Sequence, residues 1–323
     1  MFKLLSRYAN PLDLMHFGIM GMNQRNVNYI GRYNKRKLYP LVDNKLKTKE
    51  MAIAHHVTTP KLLGTIKNQH DVTNFLKIIG DNQEFCIKPA QGSGGKGILA
   101  ITSRQDTLFI KASGQGINNH DVRRHLSNIL AGLFSLGGKP DIALIESLIH
   151  FDPVFDGYSY EGVPDTRVIV FQGFPIMAMM RLSTAASDGK ANLHQGAVGV
   201  GICMRTGKAV RAVQHNDPIK FHPDTDKNLF ELKVPHWLEV LTLAASCYNM
   251  SGLGYIGTDI VLDRDLGPML LELNARPGLA IQTANNAGLL PRLRLIEALP
   301  NRQSMSVSER VAFARDHFGV FES

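Results

Sequence analysis

The stretch that most constrains this chain is residues 257–278, GTDIVLDRDLGPMLLELNARPG. Two apolar runs, 260–262 and 269–273, flank a turn holding Asp263, Asp265, Gly267 and Pro268, which predicts a β-hairpin. Closed symmetrically about residues 264–267, the hairpin sets Leu262 opposite Met269 and Asp259 opposite Glu272. Asn274, two residues past Glu272, points to the same face. Like charges directly opposite on a sheet repel. Two carboxylates and an amide oxygen converging between apolar strands call for a cation, and such hard donors suit Mg²⁺ held jointly with phosphates. The competing reading is a solvent-facing hairpin with inert polar residues.

A glycine loop lies upstream. Residues 85–90, FCIKPA, predict a strand that carries Lys88 in an apolar setting. Residues 91–97, QGSGGKG, follow, and then a second strand at 98–102. Gly92, Gly94 and Gly97 satisfy the letters GxGxxG, but a strand rather than a helix comes next, which argues against a dinucleotide fold. Nor is this a Walker A loop, because Gly97 follows Lys96 where Ser or Thr is needed. A glycine loop between strands can lie over phosphates and donate backbone N–H groups to them. Protein kinases place their lysine on a strand after such a loop, whereas Lys88 precedes it. A hairpin tip with no ligand is the alternative. Lys88 weighs against it, since an unpaired ammonium in an apolar strand is costly.

The 323 residues suffice for one large core or two to three small ones. No apolar run approaches the roughly 18 residues of a membrane span, and residues 1–10 lack the apolar segment of a signal peptide. Cys86, Cys203 and Cys247 are odd in number, far apart and outside any CxxC spacing, so they read as buried thiols in a reducing compartment. A cytoplasmic location is expected. Ten Lys and Arg against Asp13, Asp43 and Glu50 give residues 1–50 a charge of +7, out of +8 for the whole chain. A basic arm on a near-neutral body points to an acidic or polyanionic partner, and a merely solvated face is the alternative.

Along the chain, residues 1–39 hold too little core to stand alone and read as helical pieces packed on the body. A helix is expected at 44–55, a strand at 62–66, and a helix at 71–79 with Asp71 as its N-cap. Further on come a helix at 119–135 and a buried strand at 142–149. Strands 167–171 and 176–182 pair around a turn at 172–175. Residues 183–201, polar and glycine-rich, are too long for a turn and read as functional. An amphipathic helix at 235–249 carries Trp237, the only tryptophan. A final helix opens with Ser306 and Glu309 in capping-box spacing.

FCIKPAQGSGGKGI, LIESLI, DTRVIVFQGFPIMAMMRL and GTDIVLDRDLGPMLLELNARPG, in this order and spacing, resemble the ATP-grasp superfamily, and within it the RimK-like alpha-L-glutamate ligases. The resemblance covers about residues 41–290. It implies an α+β fold in which two α/β lobes of mainly antiparallel sheet clasp ATP, with boundaries at 1–40 (basic segment), 41–145 (N-lobe) and 146–323 (C-lobe). It further implies that Lys45 and Lys88 touch ATP, that Gln91, Gly92, Ser93, Gly94, Gly95, Lys96 and Gly97 cover its phosphates, and that Glu146, Ser147, Leu148 and Ile149 hold adenine. Asp259, Glu272 and Asn274 match the family's ligands for Mg²⁺, with Mn²⁺ as an alternative. Arg167 and Arg181 match residues near the transferred phosphoryl group, while Asn192 and His194 fall in a substrate-side loop. Two departures stand out. Only about 40 residues precede the grasp, where members typically carry a further domain, and Arg276 replaces a small residue.

The expected function is therefore an ATP-dependent carboxylate–amine ligase working through an acylphosphate. Its partners would be a carboxylate substrate and an amine acceptor, an amino acid or peptide, acidic if the basic arm bears on it. No membrane is expected, and a homo-oligomer is left open. On repulsion alone, neutralising Asp259 or Glu272 should abolish turnover and leave the fold intact or slightly stabilised. One rival is a small-molecule kinase on the same fold, which stops at phosphoryl transfer. Another is a non-catalytic nucleotide sensor or nucleic-acid binder, which the lysine, metal and glycine-loop set and the lack of interleaved surface aromatics disfavour.

Overall fold

The computed structural model describes residues 10–92, 94–105 and 108–319, with Leu136 described by its backbone alone. The expected α+β plan is present as two sheets. The smaller contains β1 (Leu62–Ile66), β2 (Phe85–Pro89), β3 (Leu99–Gln105), β4 (Leu108–Lys111), β5 (Gly116–Asn118) and β6 (Ala143–Glu146), in the order β1-β6-β2-β3-β4-β5. The larger contains β7 (Asp165–Phe171), β8 (Phe174–Leu182), β9 (Val198–Ile202), β10 (Ala209–Gln214), β11 (Asp217–Pro218), β12 (Tyr255–Asp263) and β13 (Gly267–Asn274), in the order β11-β10-β9-β8-β7-β12-β13. Their strand pairs are antiparallel.

Every residue of β7 and β12 is buried, so both faces of the sheet's centre are covered. Helix Trp237–Ser251 packs on β7 and β12, helix Val307–Phe318 on β8, and Ala280–Asn285 on β8 and β9. The smaller sheet buries Ile87, Ile101 and Ile145 against Val122, Leu126 and Ile129 of helix Asn119–Leu130. Helix Lys45–Ala54 lies between the two: Ala52 belongs to the larger core, whereas Leu46 packs with Ala90 and Leu144 of the smaller sheet.

Of the N-terminal segment, residues 1–9 lie outside the described residues, and residues 10–39 form short helical pieces on the larger core, as the apolar patches suggested. Tyr29 and Ile30 are buried there. The Asn34 side chain accepts from the Tyr255 N–H at 2.8 Å and donates to the Tyr255 and Ala275 carbonyls at 2.7 and 3.0 Å.

Several boundaries differ from the sequence reading, each for a local reason. Asn68, not Asp71, caps the helix after β1, with Asp71 completing the capping box. That helix stops at Asn74, giving Gln69–Thr73 and Phe75–Ile79. Helix Asn119–Leu130 ends early because Gly132 turns left-handed at φ +83°, where a Cβ would meet the Lys139 carbonyl oxygen at 2.3 Å. β6 stops at Glu146, because the Ser147 N–H and hydroxyl turn to the Lys61 backbone at 2.9 and 3.0 Å.

Candidate active site

The hairpin of β12 and β13 supplies the first half of the site. Its turn is one residue tighter than symmetric closure predicts: Asp263 pairs with Gly267, and Leu262 faces Pro268 rather than Met269. The Asp263 carboxylate causes this by accepting the N–H groups of Asp265 and Leu266 at 2.9 and 3.0 Å. A bulge past Asp259 then absorbs Leu271, and Asp259 faces Glu272 after all. Across the sheet, Asp259 faces Arg167 of β7, and Asp165 faces Arg181 of β8. By strand alternation one sheet face thus carries Glu272, Asn274, Asp259, Arg167, Asp165 and Arg181.

These charges interlock. The Arg167 fork grips Asp259, with Nη2 to Oδ2 at 2.7 Å. Arg181 forks onto Asp165 at 2.6 and 2.7 Å and reaches Asp259 Oδ2 at 2.8 Å. Asn274 Nδ2 lies 3.4 Å from the same oxygen. Burial would raise Asp259, but Arg167 and Arg181 overcome it and hold the carboxyl below its usual range. For Asp165, burial wins over Arg181, and with Asp259 adding repulsion it is pushed up to about 6. Nη1 of both guanidiniums has no protein partner among the described residues.

The second half comes from β2, β6 and helix Lys45–Ala54. Asn44 caps this helix by accepting from Leu46 and Lys47, and the Lys45 N–H donates to the Ala90 carbonyl at 2.8 Å, fixing the helix start to the end of β2. The Lys45 ammonium then donates to the Gly92 carbonyl at 2.7 Å and to Glu272 Oε1 at 3.2 Å, tying the glycine loop to the hairpin. Lys88 pairs with Oε2 of Glu146, whose side chain is 2% exposed. Lys49 holds Oε1 of the same carboxylate at 2.7 Å. Burial opposes all three charges. Attraction wins for two of them, so Lys88 sits above the lysine range and Glu146 below the carboxylate range, whereas burial keeps Lys49 below its usual value. Lys45, Lys49, Lys88, Glu146, Leu270 and Leu271 line a small cavity between the two halves.

The glycine loop folds on its own geometry. Gly94, Gly95 and Gly97 all have positive φ, and a Cβ on Gly97 would lie 2.6 Å from the Phe134 ring. Asp141 anchors the loop's base by accepting the Gln91 N–H at 2.9 Å and the Ser135 hydroxyl at 2.6 Å. Lys96 is exposed, and Ser93 lies outside the described residues. Ser147, Leu148 and Ile149 form the half-buried crossover between the sheets.

Not all expected residues converge. Asn192 spends its side-chain oxygen on the His194 N–H at 3.1 Å, and His194 is exposed. Among the described residues no hydrogen bond or ion pair links either to Lys88, Arg181 or the hairpin. Arg276 lies over the Tyr39 ring at 5.3 Å and meets Asp43 at 3.4 Å on the surface. Three residues were missed. Lys49 stands one helical turn after Lys45, and Asp165 two residues before Arg167 on one strand face; both spacings were readable. Asp141 gave no local signal.

Two antiparallel sheets that bring a glycine loop, strand and helix lysines and an acidic hairpin together define an ATP-grasp protein. The chain belongs to the sugar-transfer associated ATP-grasp family, whose model matches residues 24–298. ATP is the nucleotide consistent with that membership. No curated protein matches the sequence. Among solved structures, the ATP-grasp ligase PsnB with its minimal precursor is similar at 15% identity over 84% of this chain and 63% of that one, with a TM-score of 0.44. The D-cycloserine synthetase DcsG is similar at 16% identity over 84% and 73%, TM-score 0.44. D-alanyl-alanine synthetase A from Vibrio cholerae is similar at 10% identity over 88% and 67%, TM-score 0.43. The chain thus spans about three-fifths of PsnB. No helix among the described residues is long and apolar enough to cross a membrane.

Proposed function

We propose that this chain is an ATP-dependent carboxylate–amine ligase of the glutamate-ligase type. The observation that carries the reading is the Lys45 ammonium, shared between the glycine loop at Gly92 and the hairpin carboxylate of Glu272. One cation at that point faces both the phosphate-covering loop and the metal-type acids, as a nucleotide lying between them requires. No cluster of three or more His, Cys, Asp and Glu suited to a metal occurs among the described residues. An ion here therefore needs the amide as well: Asp259, Glu272 and, with its amide turned, Asn274 would offer oxygen donors of the kind that suits Mg²⁺, in exchange for the guanidinium contacts that Asp259 makes here. When bound, Mg²⁺ would neutralise phosphate charge.

The chain's own groups supply positioning and charge rather than acid–base chemistry. Lys45 and Lys88 hold phosphates, and the glycine loop covers them and excludes water. The residues 146–149 crossover offers backbone groups to adenine, since the Glu146 carboxylate is engaged by two lysines. Arg167 and Arg181 present Nη1 to the reacting carboxylate and phosphoryl oxygens. The substrate carboxylate attacks the γ-phosphorus and ADP leaves. An amine then attacks the acylphosphate carbonyl carbon, phosphate leaves, and an amide remains. A partner with acidic character fits the basic segment at Lys35, Arg36 and Lys37, all exposed.

The test is ADP release across a panel of amino acids, peptides and sugar acids, with product analysis. ADP, inorganic phosphate and an amide in equal amounts are expected. A phosphorylated acceptor without free phosphate would instead assign a kinase, and no acceptor-dependent ADP would remove the ligase reading.

A further inference from the structure

The cation–anion–cation set Lys49–Glu146–Lys88 is more than the nucleotide reading needs. Glu146 alone already neutralises Lys88. A lone buried carboxylate beside the phosphate-binding lysine would oppose phosphate in two ways: it would hold the ammonium, and it would repel the incoming anion. The second lysine changes this balance. Its three protons have three protein acceptors: Glu146 Oε1 at 2.7 Å, the Thr59 hydroxyl at 3.3 Å and the Pro60 carbonyl. Lys49 is thus fully spent on protein and 5% exposed. Lys88, by contrast, has only Glu146 as a partner among the described residues, and it lines the cavity with donors to spare. The division is asymmetric: one lysine is fixed for the carboxylate, the other is left able to turn away from it.

We propose that Lys49 is a positioning residue for nucleotide binding, one that touches no nucleotide but neutralises Glu146 so that Lys88 is released to phosphate. The inference rests on the nucleotide site of the ligase reading. It makes a demand that a packing role does not: Lys49 matters only while Glu146 is charged. Lys49 is kept in place by helix Lys45–Ala54, the same element that carries Lys45 to the glycine loop, so both lysines are set by one cap at Asn44.

The experiment measures the Kd of ADP by calorimetry, without turnover, on the full chain and on Lys49→Met, Lys49→Arg, Glu146→Gln and the double variant Lys49→Met/Glu146→Gln. Thermal melting reports folding, and Lys88→Met serves as the reference for a lost phosphate contact. Lys49→Met should weaken ADP about tenfold, the scale of one charge-assisted contact, and Lys49→Arg should stay within about threefold of wild type. Once Glu146 is neutral, adding Lys49→Met should change Kd by less than about twofold. That comparison does not require the single Lys49→Met variant to fold: Glu146→Gln leaves two buried ammoniums without their carboxylate and the double variant leaves only Lys88 so, and thermal melting checks both. A tenfold loss on adding Lys49→Met to Glu146→Gln would mean direct contact or packing and overturn the proposal. So would a folded Lys49→Met that binds as wild type does. A wild-type chain that binds no ADP would instead bring down the nucleotide site itself, and this inference with it.

Discussion

Asp165 and Asp259 share Arg181, yet their carboxyls move in opposite directions. Asp259 receives two guanidiniums and stays below its usual range, while Asp165 receives one and is pushed up to about 6 by burial. The sign of the pH dependence follows. A carboxyl whose folded pKa lies above its unfolded value near 3.8 binds more protons when folded, so its contribution to stability grows as pH falls from about 6 to 4. Wild type should therefore gain about 2 kcal/mol relative to Asp165→Asn as the pH is lowered from 7 to 4.5, measured by urea unfolding. A difference that does not vary with pH would place Asp165 with ordinary surface carboxylates. For Asp259 and Glu146 the sign reverses: their stabilisation is present above the unfolded value and is lost as pH falls through the lowered folded values.

At the scale of the hairpin, like-charge repulsion between Asp259 and Glu272 proves a poor guide to stability. Asp259 is buried under two guanidiniums, and although Arg181 keeps Asp165, Asp259→Asn leaves the buried Arg167 without its carboxylate and should cost about 3–5 kcal/mol. Glu272 is 34% exposed and among the described residues its one ion pair is with Lys45, so Glu272→Gln should cost no more than about 1 kcal/mol. Both variants should lose turnover. Melting curves that show equal stability for the two would count against this account. The pairing of Asp259 with Glu272 was read from symmetric closure, but the path to it was not: the sequence reading missed both the tight turn and the Leu271 bulge, which cancel. The turn is set by Asp263, whose carboxylate also accepts the His150 N–H at 3.0 Å from the crossover. Glu146 was singled out by the family resemblance alone, as a residue that holds adenine. Its partners were not legible, because nothing local links a helix before β1 to the end of β6.

On the scale of the whole molecule, the basic arm was read as either a docking surface or a solvated face, and its architecture accommodates both. Tyr33, Leu38 and Tyr39 pack on the larger core, while Lys35, Arg36 and Lys37 stand exposed beside the Asn34 anchor. Exposed charges act on encounter and are screened beyond about 8–10 Å at physiological salt. Changing Lys35, Arg36 and Lys37 to Ala should raise the acceptor KM several-fold and barely move that for ATP. Acceptor kinetics insensitive to both salt and the triple change would confine the arm to packing. Helix Lys45–Ala54 has a different consequence. With Leu46 seated in one core and Ala52 in the other, it works as an axle set into both plates of a press. Lys45 is fixed on one plate at the Ala90 and Gly92 carbonyls and holds Glu272 of the other. Rocking that widens the gap therefore has to part Lys45 from Glu272, so access and the charge at the entrance are one mechanical coordinate rather than two.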